Sequence, residues 1–225
     1  MKLSVIIPVY NEKDTINKII EKVRKVPIEK EIIIVDDGST DGTQNILKNF
    51  NNKDIKVILK EKNEGKGMSI REGLKYVSGD IVVIQDADLE YEPMDFLKMI
   101  EVIEKNNASV VYGSRILGKG KKSSFFFYLG GRFLSCIVNI LYNAKITDEP
   151  TCYKMFRTDV IKKINLKCTG FEFCPEVTAK VRKMGYKIFE VPIHYIPRSI
   201  KEGKKIRLKD GIIATWTLIK YKFID

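Results

Sequence analysis

Asp86 and Asp88, separated by the small Ala87, follow the apolar run Ile81-Val82-Val83-Ile84. Two hard carboxylate ligands this close suit Mg2+ or Mn2+, above all when the ion is shared with a diphosphate. An Asp-x-Asp alone is a weak signal, because acidic loop residues mostly meet water. Its position strengthens it. A short apolar run reads as a buried strand, and open α/β sheets bind ligands at the carboxyl ends of their strands. Three further strand-like runs end in polar groups: Pro8-Val9-Tyr10-Asn11-Glu12, Asp36-Asp37-Gly38-Ser39-Thr40-Asp41-Gly42 and Gly113-Ser114-Arg115. In a parallel sheet all four ends share one edge and converge on one crevice. Carboxylates gathered there repel unless a cation or hydrogen-bond donors compensate. The plainer alternative, four separately solvated turns, fits any one of these runs better than all four together.

The elements that must hold these groups alternate. Residues 3–7, 31–35, 55–59, 80–84 and 109–112 read as strands. Residues 14–26, 41–50, 66–77 and the stretch from Pro93 to 105 read as helices. Ile16, Ile19, Ile20 and Val23 share one helical face, and Ser39, Thr40 or Asp41 can cap the second helix. Such alternation predicts an α/β fold, a mostly parallel sheet with helices on both faces. The rhythm breaks after Gly113. Residues 123–143 form a very apolar helix with one polar stripe, Arg132, Ser135, Asn139 and Asn143. This is either a buried core helix or an interfacial helix lying on a bilayer. Shorter elements follow, and the chain closes on an amphipathic helical segment with Leu208, Ile212, Trp216, Ile219 and Phe223 on one face.

With 225 residues, 44% of them hydrophobic and 31% charged, the chain can build one sizeable core. The net charge of +11 calls for acidic partners: nucleic acid, phosphate-rich substrates or an anionic membrane. The basic residues are spread along the chain without interleaved aromatics, so nucleic acid is not the expected partner. Cys136, Cys152, Cys168 and Cys174 form no Cys-x-x-Cys pair, and His194 is the single histidine, which argues against zinc and for free thiols in a reducing cytosol. Met1-Lys2 leads directly into the first strand, so no signal peptide is expected. Arg132 and Asn139 interrupt the greasiest region, and its longest charge-free piece, 133–144, falls short of the roughly 20 residues a spanning helix requires. The expected location is cytoplasmic, peripheral on the cytoplasmic face of the membrane. Arg198, Lys201, Lys204, Lys205, Arg207 and Lys209 adjoin the terminal amphipathic segment. An anionic surface attracts such residues by roughly 1 kcal/mol each; a solvated loop is the alternative.

Ile6-Ile7-Pro8-Val9-Tyr10-Asn11-Glu12, then Val35-Asp36-Asp37-Gly38-Ser39-Thr40-Asp41-Gly42-Thr43, then Asp86-Ala87-Asp88 together resemble the family 2 glycosyltransferases of the GT-A fold. The similarity is to the dolichol-phosphate mannose synthase and polyprenyl-phosphate glucosyltransferase branch, which Gly113-Ser114-Arg115 and the block from Thr147-Asp148 to Arg157 also fit. The resemblance implies a GT-A domain over 1–200, with a nucleotide-binding half at 1–115 and an acceptor half at 116–200. A basic amphipathic segment, 201–225, follows. It implies that Pro8, Tyr10 and Glu12 line the base and ribose pocket and that Val35 and Asp37 contact the base. Asp86 and Ala87 would face ribose and diphosphate, and Asp88 would ligate Mg2+ or Mn2+. Arg115, Arg132 and Arg198 match positions that hold the diphosphate or acceptor phosphate; surface salt bridges are their plainer reading. Two departures stand out. Glu90 replaces a usual Gln and either joins Asp86 and Asp88 at the metal or caps the next helix. Pro150-Thr151-Cys152-Tyr153-Lys154 stands where Thr-Ser-Gly-Phe-Arg is common, on the acceptor side.

The implied reaction is metal-dependent, inverting transfer of mannose or glucose from a GDP- or UDP-sugar to a polyprenyl or dolichyl phosphate. Asp86, Asp88, Arg115 and Asp148 are its catalytic group, and a membrane-embedded partner subunit is a further possibility. A phosphate acceptor needs no general base, whereas a hydroxyl acceptor does. Glu176 is then the first candidate and Asp148 the second, although Glu176 also suits a helix start. The alternatives are a hydroxyl acceptor and a non-catalytic nucleotide-sugar-binding protein. A nucleotidyltransferase would place a Gly-rich basic loop after the first strand, and none is present.

Overall fold

The computed structural model describes residues 1–50, 52–118, 124–198, 203 and 205–224. Among them seven strands form one sheet in the order β3-β2-β1-β4-β6-β5-β7. These are β1 (Leu3–Val9), β2 (Lys30–Asp36), β3 (Ile55–Leu59), β4 (Ile81–Ile84), β5 (Val110–Ser114), β6 (Lys154–Arg157) and β7 (Ile188–Pro192). All pairings are parallel except those of β6, which runs antiparallel between β4 and β5. Because β6 is flanked by two antiparallel pairings, β5 still points the same way as β4. The carboxyl ends of β1, β2, β4 and β5 therefore share one edge, as the sequence requires. The order reverses between β1 and β4, where a crevice opens in such sheets.

The helices are α1 (Ile16–Lys25), α2 (Thr43–Leu47), α3 (Lys66–Leu74), α4 (Phe96–Asn106), α5 (Phe125–Tyr142), α6 (Thr158–Ile161), α7 (Phe173–Lys183) and α8 (Leu208–Phe223). Ile16, Ile19, Ile20 and Val23 are the buried face of α1. The second helix is shorter than the expected 41–50, because Gly42 enters it in a left-handed conformation (φ 100°). Asp41 caps this turn by accepting from Thr43 N and Oγ1. The helix expected to open at Pro93 divides into a 3-10 turn, Pro93–Asp95, and α4. Helix α3 ends at Leu74, three residues early.

The apolar segment after β5 is one helix, as expected, but not a plain core helix. Helix α5 is continuous over 18 residues, long and apolar enough to cross a membrane by length and composition, and only 22% of it is buried. Three residues of its polar stripe bond the turn that follows the helix, Ser135 buried, Asn139 half-buried and Arg132 exposed. Arg132 donates to Thr147 O, Asn139 bonds both backbone groups of Ile146, and Ser135 Oγ accepts from Glu149 N. Its outer face carries Phe125, Phe126 (85% exposed), Leu129, Phe133 and Ile140. Helix α8 packs against α5 and α7. It buries Ala214, Leu218 and Tyr221 and leaves the expected apolar face outward, with Trp216 63% and Phe223 82% exposed.

At the opposite edge of the sheet from the crevice, Glu31 ties β2 to β1 and to the start of β4. It accepts from Ser4 Oγ at 2.5 Å, Ser78 N and Oγ at 2.6 Å, Lys2 Nζ at 3.1 Å and Gly79 N at 3.2 Å. Burial opposes ionisation, but these donors outweigh it and hold the Glu31 carboxyl at about 2. A folded-state value below the unfolded one, about 4.3, contributes stability above that pH and loses it as pH falls toward 2. Glu31→Gln is therefore expected to lower the melting temperature at pH 7. Its deficit against the parent should shrink between pH 5 and pH 2, as measured by thermal denaturation across that range.

Candidate active site

A cleft of about 780 Å3 opens where β1, β2 and β4 end. Pro8, Tyr10, Glu12, Asp37, Asp86, Ala87, Asp88, Glu90, Arg115 and Arg198 all line it. Three expected residues do not. Val35 is fully buried within β2, its methyl group facing the helix at Gly73. Arg132 is held on α5 by Thr147 O. Asp148 sits behind Arg115 rather than in the cleft.

Each carboxylate at the edge is met by donors or cations. Asp37 accepts from Lys60 Nζ at 2.6 Å, Glu64 N at 3.1 Å and Gly65 N at 2.7 Å. Lys66, the first residue of α3, reaches Asp86 Oδ1 at 2.5 Å. Burial works against both charges of this pair. Their mutual attraction outweighs it, so Asp86 lies below the usual carboxylate range and Lys66 above the usual ammonium one. Asp88 meets Arg198 NH2 at 3.1 Å and Glu90 N at 3.2 Å. Burial, with Asp86 and Glu90 nearby, pushes its carboxyl up to about 7. The turn that lets Glu90 N fold back is made by Leu89 at φ 62°, a left-handed conformation rare for leucine. Such outliers persist where surrounding contacts over-determine them. Glu90 itself accepts from Tyr195 OH at 2.9 Å and Arg198 N at 2.6 Å.

Glu12 collects two cations from far along the chain. Arg198 donates to both of its oxygens at 3.2 and 3.1 Å, and Lys205 Nζ reaches it at 2.7 Å. Burial raises the Glu12 pKa, but Arg198, Lys205 and Thr15 bring it below the usual value. The basic tail is thus divided: Arg198, Lys205, Arg207 and Lys209 line the cleft, while Lys201 and Lys204 lie outside the described residues.

On the other flank, Asp148 holds Arg115 with both oxygens. Oδ2 accepts from Arg115 N and Nε at 2.8 Å, and Oδ1 accepts from NH2 at 2.7 Å. Glu190 steadies this turn by accepting from Thr147 N and Asp148 N. The Asp148 carboxyl, despite burial, is held down by the Arg115 guanidinium. Such a carboxylate orients the guanidinium, which also lies 5.1 Å from the centroid of the Tyr195 ring. Glu176, the other candidate base, lies fully buried on α7. It accepts from Lys167 N, Cys168 N and Lys180 Nζ. Its bonds fix the loop that brings Gly170 and Phe171 to the cleft.

Lys66, Tyr91 and Tyr195 line the cleft without having been singled out, and Lys205, expected at a membrane surface or in a solvated loop, lines it with Cys152. The signal for Lys66 was its place between Gly65 and Gly67. Gly65 has φ 99°, and a side chain there would strike Thr169 O. Thr169 O and Gly170 O accept from Met68 N and Gly67 N, satisfying the first turn of α3.

The family model for glycosyl transferase family 2 matches residues 4–165. The dolichol-phosphate mannosyltransferase of Pyrococcus furiosus is 31% identical over 211 residues, covering 91% of this chain and 59% of that protein. The chain thus spans little more than half of that relative's length. The undecaprenyl-phosphate mannosyltransferase of Micrococcus luteus is 26% identical over 232 residues, 95% of this chain and 90% of that protein. Glucosyl-3-phosphoglycerate synthase of Mycobacterium tuberculosis, solved with Mn2+, UDP and glucosyl-3-phosphoglycerate, superposes with a TM-score of 0.77 at 17% identity. That match covers 100% of this chain and 81% of that one and confirms the GT-A fold.

Asp148→Ala strips the largely buried Arg115 of its bidentate partner. Breaking a buried pair from one side costs about 3 kcal/mol or more. Urea denaturation is expected to read a loss of that size, and Asp148→Asn, which keeps the shape, a smaller one.

Proposed function

The chain belongs to glycosyl transferase family 2, and we propose that it moves a hexose, mannose or glucose, from a GDP- or UDP-sugar to a polyprenyl phosphate. Both named mannosyltransferase relatives act, by name, on polyprenyl phosphates. The observation that carries the reading is the asymmetry of the cleft. Its nucleotide flank gathers carboxylates balanced by Lys60, Lys66, Arg198 and Lys205. Its far flank offers Arg115, held rigid by Asp148, and neither proposed base is free to take a proton.

Asp86 and Asp88 are the residues that would hold Mg2+ or Mn2+. Among the described residues no group of three or more His, Cys, Asp or Glu side chains is arranged as a complete metal site. Magnesium commonly binds through one or two carboxylates plus substrate phosphates, which is the set available here. The carboxylate of Glu90 is oriented by Tyr195 OH and Arg198 N, one on each oxygen. The ion, when bound, supplies charge stabilisation to the departing diphosphate.

The chain's own residues account for the rest. Glu12, Tyr10 and Asp37 wall the end that takes base and ribose. Lys66 keeps Asp86 ionised and oriented. Arg115 presents a fixed fork to the acceptor phosphate, a geometry suited to guanidinium. A phosphate monoester, with its second pKa near 6, arrives largely ionised and attacks the anomeric carbon from the face opposite the diphosphate. This breaks the sugar–diphosphate bond with inversion and calls for no base.

The outward faces of α5 and α8 supply a membrane contact. Apolar residues stand outward with Trp216 among them, and Arg207, Lys209, Lys220 and Lys222 lie along the same helix or at its start. Such a surface lies in the headgroup layer, and anionic lipid strengthens it.

Two measurements test these readings. Radiolabelled GDP-mannose, GDP-glucose and UDP-glucose are each incubated with polyprenyl phosphate. One donor is expected to label the lipid phase, EDTA to abolish the label, and Asp88→Asn to reduce it on the order of a hundredfold. Absence of lipid-linked product from every donor overturns the assignment. Binding to anionic vesicles is expected, weakened by salt and by Trp216→Ala with Phe223→Ala. No binding would rule out this membrane contact.

A further inference from the structure

Among the described residues, Glu12 is served by two cations and Asp88 by one, and the guanidinium of Arg198 is common to both. Its NH2 group bridges Glu12 Oε1 and Asp88 Oδ2, each at 3.1 Å. Its NH1 group adds Glu12 Oε2 at 3.2 Å. Its Nε is buried with no hydrogen-bond partner among the described residues. A buried donor left unmade is costly, so this seat does not use the full capacity of the side chain. The backbone is fixed independently, because Arg198 N donates to Glu90 Oε1 at 2.6 Å. The side chain can therefore change partners without its Cα moving. Glu12 in turn does not depend on Arg198 alone, since Lys205 Nζ and Thr15 Oγ1 remain on it at 2.7 and 2.8 Å.

We propose that Arg198 is the resident counter-cation of the metal position: it neutralises Asp88 in the donor-free protein, and a divalent cation gains Asp88 only by displacing it. This rests on the metal-dependent reading above and deepens it. Asp88 sits beside Asp86 and Glu90, and three carboxylates so close need positive charge whether or not substrate is present. The guanidinium supplies it before the metal arrives. Once a nucleoside diphosphate enters, its phosphate oxygens offer the displaced guanidinium new acceptors, including for Nε. The ion and the diphosphate thus assist one another through one side chain. Metal alone must compete with Arg198 for Asp88, whereas metal with diphosphate gives Arg198 a destination. That coupling is reciprocal, as linkage demands.

The test uses the full chain and Mn2+ as probe, with the free ion followed by its paramagnetic resonance signal, so that no turnover is read. Without nucleotide, Arg198→Ala is expected to tighten Mn2+ binding by about three- to tenfold. Lys205→Ala removes an equal charge from the same cleft but not from Asp88, and is expected to change it less than twofold. Addition of GDP or UDP is expected to tighten Mn2+ binding strongly in the parent and in Lys205→Ala, and much less in Arg198→Ala. Arg198→Gln, with a shorter polar tip, replaces the alanine variant if circular dichroism shows the latter unfolded, with the same expectations. If both charge deletions tighten Mn2+ binding equally, general electrostatics accounts for the effect and the inference is overturned. The same holds if Arg198→Ala leaves the apo affinity unchanged. If the parent binds no Mn2+ even with nucleotide, the metal-dependent reading falls and this inference with it. If it binds Mn2+ and only the variants fail to separate, the inference alone falls.

Discussion

Crowding of negative charge at one edge of the sheet is the constraint on which the rest of this structure depends. Glu12, Asp37, Asp86 and Asp88 end three neighbouring strands, and Asp148 stands close behind Arg115. In a medium of low dielectric such a set is tolerable only if each member is matched. The matching cations come from elsewhere in the sequence: Lys60 just past β3, Lys66 at the start of α3, Arg115 past β5, and Arg198 and Lys205 from the approach to α8. The acidic groups are local consequences of strand ends, whereas their partners are delivered by tertiary structure.

That division explains what could be read in advance. Strand β3 and the buried face of α1 follow from local periodicity, and the acidic strand ends follow from short motifs. The role of Lys66 does not, because one lysine among many in a chain of +11 charge carries no mark except its flanking glycines. Arg198 was legible only through the family resemblance and Lys205 only as part of a basic tail, since the Glu12 they share lies more than 180 residues away. Asp148 read as catalytic because it sits in a motif-like block. Only the bidentate geometry reveals that it aims Arg115. Val35 belongs to a motif but, by the alternation of side chains along a strand, points away from the cleft into the packing beneath α3.

Helix α5 shows how a stripe can mislead. Polar residues at helical spacing ordinarily face water. Here the stripe meets residues 146–149, whose backbone groups require partners, and the apolar side is left outside. Residue types give the existence of two faces but not their orientation. The orientation follows from the irregular turn 146–149, which could not be buried without donors and acceptors from a neighbour. Helix α8 shares the same surface, so the chain presents two adjacent apolar faces next to the mouth of its polar cleft.

The placement of β6 bears on the order in which the chain can assemble. Strands β1, β2, β3 and β4 can pair with one another as they are made, but β5 bonds only to β6 and β7, both of which come later. Until Lys154–Arg157 inserts, one edge of β4 has no neighbour and β5 has no sheet to join. An apolar edge kept open is a template for unwanted pairing, and pairing across a long sequence separation is slow to form. The strand order therefore makes the joining of β5 and β7 to the first half of the sheet conditional on one four-residue strand.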